Sequence, residues 1–171
     1  MDGETGAALL VGVFGSARES KVKVVPASAP LTPNASPLPF RYVPNVVPAF
    51  TQNFDAKWLE GGLPFMGVSS TRNVIHLSMR DPGPATESHV LAFADFIPPV
   101  ALSHLRLPSP GATLTWMIEM IGEFAGVSLQ GWRVDATLEA ARDGYTSQRV
   151  MLSAPDGTPV CLSRQSMVVF G

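Results

Sequence analysis

The 171-residue chain is 46% hydrophobic and 15% charged, a balance that supports a buried core and excludes a disordered polymer. Its formal net charge of −2 gives no electrostatic reason to expect nucleic acid or an anionic membrane as partner. The single cysteine, Cys161, excludes an internal disulfide, and no apolar run approaches the length of a membrane span. The first residues, MDGETGAALL, lack the basic and apolar regions of a signal peptide, so a cytoplasmic setting is the expectation.

In chain order, residues 5–18 read as one strand, because Val11, Val13 and Phe14 suit a sheet and show no helical period. A lone strand needs a sheet supplied by the later domain or by another molecule. Residues 21–48 hold seven of the sixteen prolines, which precludes helix and central strand. This stretch, 21–46, reads as an extended linker, with Phe40, Tyr42, Val43 and Val46 apolar enough to pack along a surface. The domain proper is expected over 47–171.

Within that domain, residues 49–58 and 72–80 alternate like strands. Val74, His76, Ser78 and Arg80 should take one face of the second, and Ile75, Leu77 and Met79 the other. DPGP stops that strand, and Thr86 or Ser88 is placed to cap a helix in which Val90, Leu91, Ala94, Ile97, Ala101 and Leu102 approach an i, i+3/i+4 pattern. Pro98 and Pro99 should end or kink its regular part. Strands are expected at 112–124, 128–142, 145–153 and 159–170. Asp143-Gly144 and Asp156-Gly157 are hairpin signals that make the last three an antiparallel meander. One apolar helix and a sheet with one apolar face must bury each other, so the sheet has to curl around the helix.

Three polar residues stand alone inside these apolar elements: Asp95, Thr113 and Gln165. A carboxylate, a hydroxyl and an amide converging on one point can hold a water molecule and deprotonate it. Asp95, set among Phe93, Phe96 and Ile97, is expected to be buried, which would raise its pKa, while hydrogen bonds from Thr113 and Gln165 would favour the anion and lower it. Each residue also has a plain structural explanation. Asp95 suits a solvated helix face or an interface ion pair, threonine is a good strand former, and Gln165 fits a satisfied core amide on the face of Cys161, Ser163, Met167 and Val169. Thr115 competes with Thr113, since strand alternation puts both on one face.

Other chemistry is poorly supported. His76, His89 and His104 lie at no metal-ligand spacing, and no phosphate-cradling glycine loop or nucleophile elbow occurs, so no metal or other cofactor is expected. Trp58, Trp116 and Trp132 read as core or interface anchors. The run Trp116–Ile121 suits core packing, with lining of an acyl channel as the alternative. Cys161 reads as a small buried hydrophobe.

Strand, strand, long helix and four antiparallel strands make an α+β hotdog, an antiparallel curved sheet wrapped around one helix. The segments LPFRYVPNVVPAFTQNFDAKWLEGG, HVLAFADFIPP, ATLT and VCLSRQSMVVF, in that order, resemble the acyl-CoA thioesterase II group, a double-hotdog family. The resemblance implies that residues 1–20 are the final strand of an N-terminal hotdog and 47–171 the C-terminal one. It implies hydrolysis of fatty acyl-CoA, with a medium or long acyl group, by water activated at Asp95 with Thr113 and Gln165. The oxyanion donors would then be backbone N–H groups near the helix N-terminus. Most of the first hotdog is missing, so a homodimer or higher homo-oligomer is expected to replace it. The alternative is a non-catalytic acyl-binding or assembly hotdog. A hotdog hydratase is weaker still, since no Asp/His pair precedes the helix.

Overall fold

The computed structural model describes residues 8–32 and 36–170. Eight elements of regular structure follow one another: β1 (Leu38–Pro39), β2 (Phe54–Glu60), β3 (Arg72–Met79), α1 (Glu87–Asp95), β4 (Gly111–Met120), β5 (Trp132–Arg142), β6 (Tyr145–Ser153) and β7 (Pro159–Val169). The strands form one antiparallel seven-stranded sheet in the order β1-β2-β3-β5-β6-β7-β4, and α1, the one α-helix among the described residues, packs on its concave face. This is the α+β hotdog expected from the element order.

The meander β5-β6-β7 forms as the turn chemistry requires. Asp143 and Gly144 both take positive φ (53° and 82°), the geometry of a type I′ hairpin, which twists with the strands it joins. Period-2 burial runs cleanly along β7, where Cys161, Ser163, Gln165, Met167 and Val169 all face inward. Trp132, Val134 and Ala136 do the same on β5, and Trp132 stacks on Phe93 of the helix with centroids 5.0 Å apart.

Thr86 is the N-cap of α1, and its backbone N–H donates to Nδ1 of His89 (3.1 Å). The helix stops at Asp95, three residues before Pro98, and a 3-10 turn over Val100–His104 follows. Val90, Ala94 and Ile97 are buried as the periodicity predicts, but Leu91 is exposed and Phe93 takes its place in the core.

Several expectations are corrected. Residues 8–18 form no strand here and lie exposed; residues 5–7 of that expected strand fall outside the described residues. Residues 49–53 form a 3-10 turn, and extended structure begins only at Phe54. Of the Trp116–Ile121 run only Ile118 packs against the core, and none of it lines the cavity. β4 is an outermost strand of the sheet, and Trp116, Met117, Met120 and Ile121 are exposed on it.

The Pro-rich stretch does not hang free. Leu38 and Pro39 pair with Trp58 and Lys57, and Arg72 donates to the carbonyls of Ala29 (3.0 Å) and Pro30 (2.9 Å). The same guanidinium makes a two-pronged contact with Asp135 (3.0 and 2.7 Å) and reaches Glu60 (3.1 Å). Hydrogen bonding to Asp135 is the largest reason that Arg72 holds its proton more tightly than usual.

Candidate functional site

The sheet order puts β1-β2 at one edge and β7-β4 at the other. Because the sheet curls, both edges approach the C-terminal end of α1, and a cavity of about 270 Å³ remains between them. Its walls include Phe40 and Trp58 from the first edge, Thr113, Gln165 and Met167 from the second, and Asp95–Pro99 from the helix end. The structure thus brings Asp95, Thr113 and Gln165 to one cavity from three separate elements.

Gln165 and Thr113 are in direct contact: Nε2 of Gln165 donates to Oγ1 of Thr113 (3.0 Å). Gln165 is buried, and its amide is in turn oriented from behind. Nε2 of Gln148 donates to Oε1 of Gln165 (3.4 Å), and Oε1 of Gln148 accepts the buried N–H of Val100 (2.9 Å). The carbonyl end of Gln165 therefore points into the core and its N–H₂ end toward Thr113. Since Thr113 accepts from Gln165, its own O–H is left to donate elsewhere in the cavity. Sequence reading overlooked Gln148. The signal was the one that marked Gln165: a lone amide among inward-facing Thr146, Val150 and Leu152 on a half-buried strand.

A β-bulge decides between the two threonines. Thr113 pairs with Met167, whereas Thr115 pairs with Ser166, so one extra residue lies between them on β4. Met167 faces inward and Ser166 does not. The bulge therefore turns Thr115 to the outer face and leaves Thr113 on the cavity.

Asp95 departs from expectation in its burial. It is the last residue of α1 and is exposed, because Phe93, Phe96 and Ile97 use the inward directions around it. Among the described residues nothing donates a hydrogen bond to its carboxylate, and partial desolvation holds its pKa above the ordinary aspartate value. Asp95 marks the C-terminal end of α1, whose dipole disfavours negative charge.

Cys161 is buried, and burial pushes its thiol up to about 11, so it is no nucleophile at neutral pH. Trp58 and Trp132 are core residues. Trp116 lies at the surface and donates from its indole N–H to Oγ of Ser163 (2.8 Å).

Among solved structures, the chain is similar to a conserved hotdog protein of unknown function from Alicyclobacillus acidocaldarius (TM-score 0.76, 18% identity, 92% of this chain and 60% of that one). It is also similar to a candidate thioesterase from Novosphingobium aromaticivorans (0.62, 17%, 92% and 59%). A third is a candidate thioesterase II from Thermobifida fusca (0.64, 16%, 89% and 57%). At these identities the likeness establishes the hotdog fold, and the chain spans about 60% of the length of the first of these proteins. None of the curated proteins matches. The family model for the acyl-CoA thioesterase C-terminal domain matches residues 26–169, and the chain belongs to that family.

Proposed function

We propose that this chain is the hydrolytic hotdog of an acyl-CoA thioesterase, with Asp95 as the base, Thr113 and Gln165 as the groups that hold the attacking water, and no cofactor. The observation that carries the reading is the meeting of these three side chains on one largely apolar cavity, with the Gln165–Thr113 pair already oriented by Gln148. Asp95 takes a proton from water as the oxygen attacks the thioester carbonyl. The tetrahedral oxyanion collapses, the C–S bond breaks with its electron pair leaving on sulfur, and the proton on Asp95 returns to the thiolate. Free acid and CoA are the products. A raised Asp95 pKa suits both halves of that cycle, because desolvation that makes the carboxylate a stronger base also lets it carry the proton that it later returns.

The remaining parts of the reading concern what surrounds the site. Residues 1–20 are taken as the end of a preceding hotdog, 21–46 as the linker and 47–171 as the catalytic hotdog. Exposed Leu114, Trp116, Met117 and Met120 on an outermost strand leave a pairing edge uncovered, which supports assembly with a second hotdog, here another copy of the chain. A cytoplasmic setting agrees with the substrate. Among the described residues no helix is long and apolar enough to cross a membrane.

One observation favours the non-catalytic alternative: Asp95 is open to solvent in the isolated chain. Thiol release from a series of acyl-CoAs, measured beside solution mass, separates the two. Turnover that disappears in Asp95→Asn supports the hydrolase. Tight acyl-CoA binding without thiol release supports the acyl-binding module. A monomeric mass with full activity removes the need for a second copy.

A further inference from the structure

We infer that the acyl group accepted here is compact, about eight carbons or fewer, and that Phe40 and Phe50 set the limit. The inference rests on the thioesterase reading and narrows its substrate, against the medium or long fatty group that the family resemblance suggests. The topology orients the cavity. Its polar residues Thr113 and Gln165 come from the β4-β7 edge, and Asp95 comes from the helix end. Its aromatic wall comes from the opposite edge: Phe40 follows β1, Trp58 lies on β2, and Phe50 lies in the 3-10 turn that leads into β2. A thioester carbonyl seated at the polar wall therefore directs its acyl tail toward Phe40, Phe50 and Trp58.

That wall is built of packed rings, with Phe50 at its rim. Phe40 lies 5.6 Å from Trp58 and 5.7 Å from Phe96, ring centroid to centroid, and Phe50 meets Phe96 edge-on at 6.5 Å. The backbone carrying these rings is tied down. The N–H of Phe40 donates to the carbonyl of Ala56 (3.0 Å), and the hydroxyl of buried Thr51 donates to the carbonyl of Pro48 (2.8 Å). A methylene is close in size to a water molecule, about 30 Å³ in the liquid, so a cavity of about 270 Å³ holds roughly nine such groups. It lies just below the range of about 300–1,000 Å³ usual for drug-sized ligands. A palmitoyl chain exceeds that volume, so its end either displaces a ring or lies outside the apolar wall. Phe40 belongs to the stretch that composition marks as linker, so that stretch supplies a specificity wall as well as a connection.

The test is kcat/KM for acetyl- through palmitoyl-CoA, read by thiol release below the micellar concentration of the longest substrate, in the unaltered chain and in Phe40→Ala and Phe50→Ala. The expected optimum lies between butyryl and octanoyl, with palmitoyl at least about tenfold poorer. The palmitoyl-to-octanoyl ratio should rise at least about fivefold in one or both variants as the wall opens. Phe50 is the more exposed of the two, so Phe50→Ala remains a fair test if Phe40→Ala folds poorly. Palmitoyl-CoA matching octanoyl-CoA in the unaltered chain overturns the inference, as does a ratio that is unchanged in every variant that folds. If no acyl-CoA is hydrolysed at any length, the thioesterase reading fails. Calorimetric binding of the same series then judges the cavity separately: tighter octanoyl than palmitoyl binding upholds the length limit, and the reverse order overturns it.

Discussion

Replacing Gln148 with leucine removes two hydrogen bonds of different kinds, and the structure separates their consequences. Oε1 of Gln148 is the acceptor for the N–H of Val100 at 2.9 Å, and Val100 is fully buried at the start of a 3-10 turn. That N–H has no partner within its own turn, and stranding it should destabilise the fold by about 1–3 kcal/mol. For a chain of this size that corresponds to a fall in Tm of roughly 2–12 °C. Nε2 of Gln148 is the donor that keeps the carbonyl of Gln165 pointing inward, over a longer 3.4 Å. Losing it costs about 0.5–1.5 kcal/mol of preference for the amide orientation that faces Thr113. If Gln165 holds the attacking water, kcat falls by roughly two- to tenfold while KM stays nearly constant, the mark of a contribution made in the transition state. Thermal unfolding and steady-state thiol release report the two effects. Thr146→Val is the matched control. Thr146 lies on the same inward face of β6, its hydroxyl is buried without a partner, and its removal should leave kcat unchanged and Tm equal or higher. A folded Gln148→Leu protein with unaltered kcat would refute the idea that this chain of amides orients the site.

Asp95→Asn should lower kcat by on the order of 10²–10⁴-fold with the fold intact, checked by thiol release and circular dichroism. Because desolvation raises the Asp95 pKa, the acid limb of the kcat/KM profile should fall above the ordinary aspartate value of about 3.9. The sign for stability is opposite: the folded chain binds this proton more tightly, so Asp95 favours folding at low pH. Its contribution is lost as pH rises through the interval between the ordinary and the raised pKa, a trend Asp95→Asn should abolish in pH-dependent denaturation. Thr113→Val should reduce kcat several-fold, whereas Thr115→Val, beyond the bulge, should leave it unchanged; equal effects would refute the assigned register. Arg72→Met leaves Asp135 and the carbonyl of Ala29 to Arg133 alone and frees the carbonyl of Pro30. The expected cost is about 3–5 kcal/mol by denaturant titration, with faster proteolysis N-terminal to β1.

The elements with strong local signals were legible in the sequence. Asp143-Gly144, the alternation of β5 and β7 and the Thr86 cap each act over a few residues, and each forms as read. What escaped depends on contacts distant in sequence or on a single inserted residue. Alternation alone gives Thr113 and Thr115 the same face, and only the pairing with β7 reveals the bulge that separates them. Alternation also suggested a strand at 49–53, but that segment closes as a 3-10 turn, where Thr51 bonds back to Pro48. The Pro-rich stretch is held through backbone carbonyls that bind Arg72, a role that side-chain composition does not report. Asp95 was misjudged because apolar neighbours in sequence point in other directions around a helix, leaving the aspartate on the open side.

The site follows from one consequence of the curled sheet, which brings the first and last strands in spatial order together around the end of the helix. A polar residue on β7 or β4 can then face an aromatic residue beside β1 although the two lie at opposite edges of the same sheet. This explains why the polar trio sits within otherwise apolar elements: the elements must be apolar to bury the helix, and the three exceptions occur where the two edges leave a gap. It also explains why the exposed aspartate and the exposed strand belong to one problem. Asp95 and β4 both border the open side of that gap, and a second hotdog covering β4 would exclude bulk water from the mouth beside Asp95. Such cover would raise the Asp95 pKa further and strengthen hydrogen bonds within the cavity, so, on the proposed mechanism, assembly and activity should rise together.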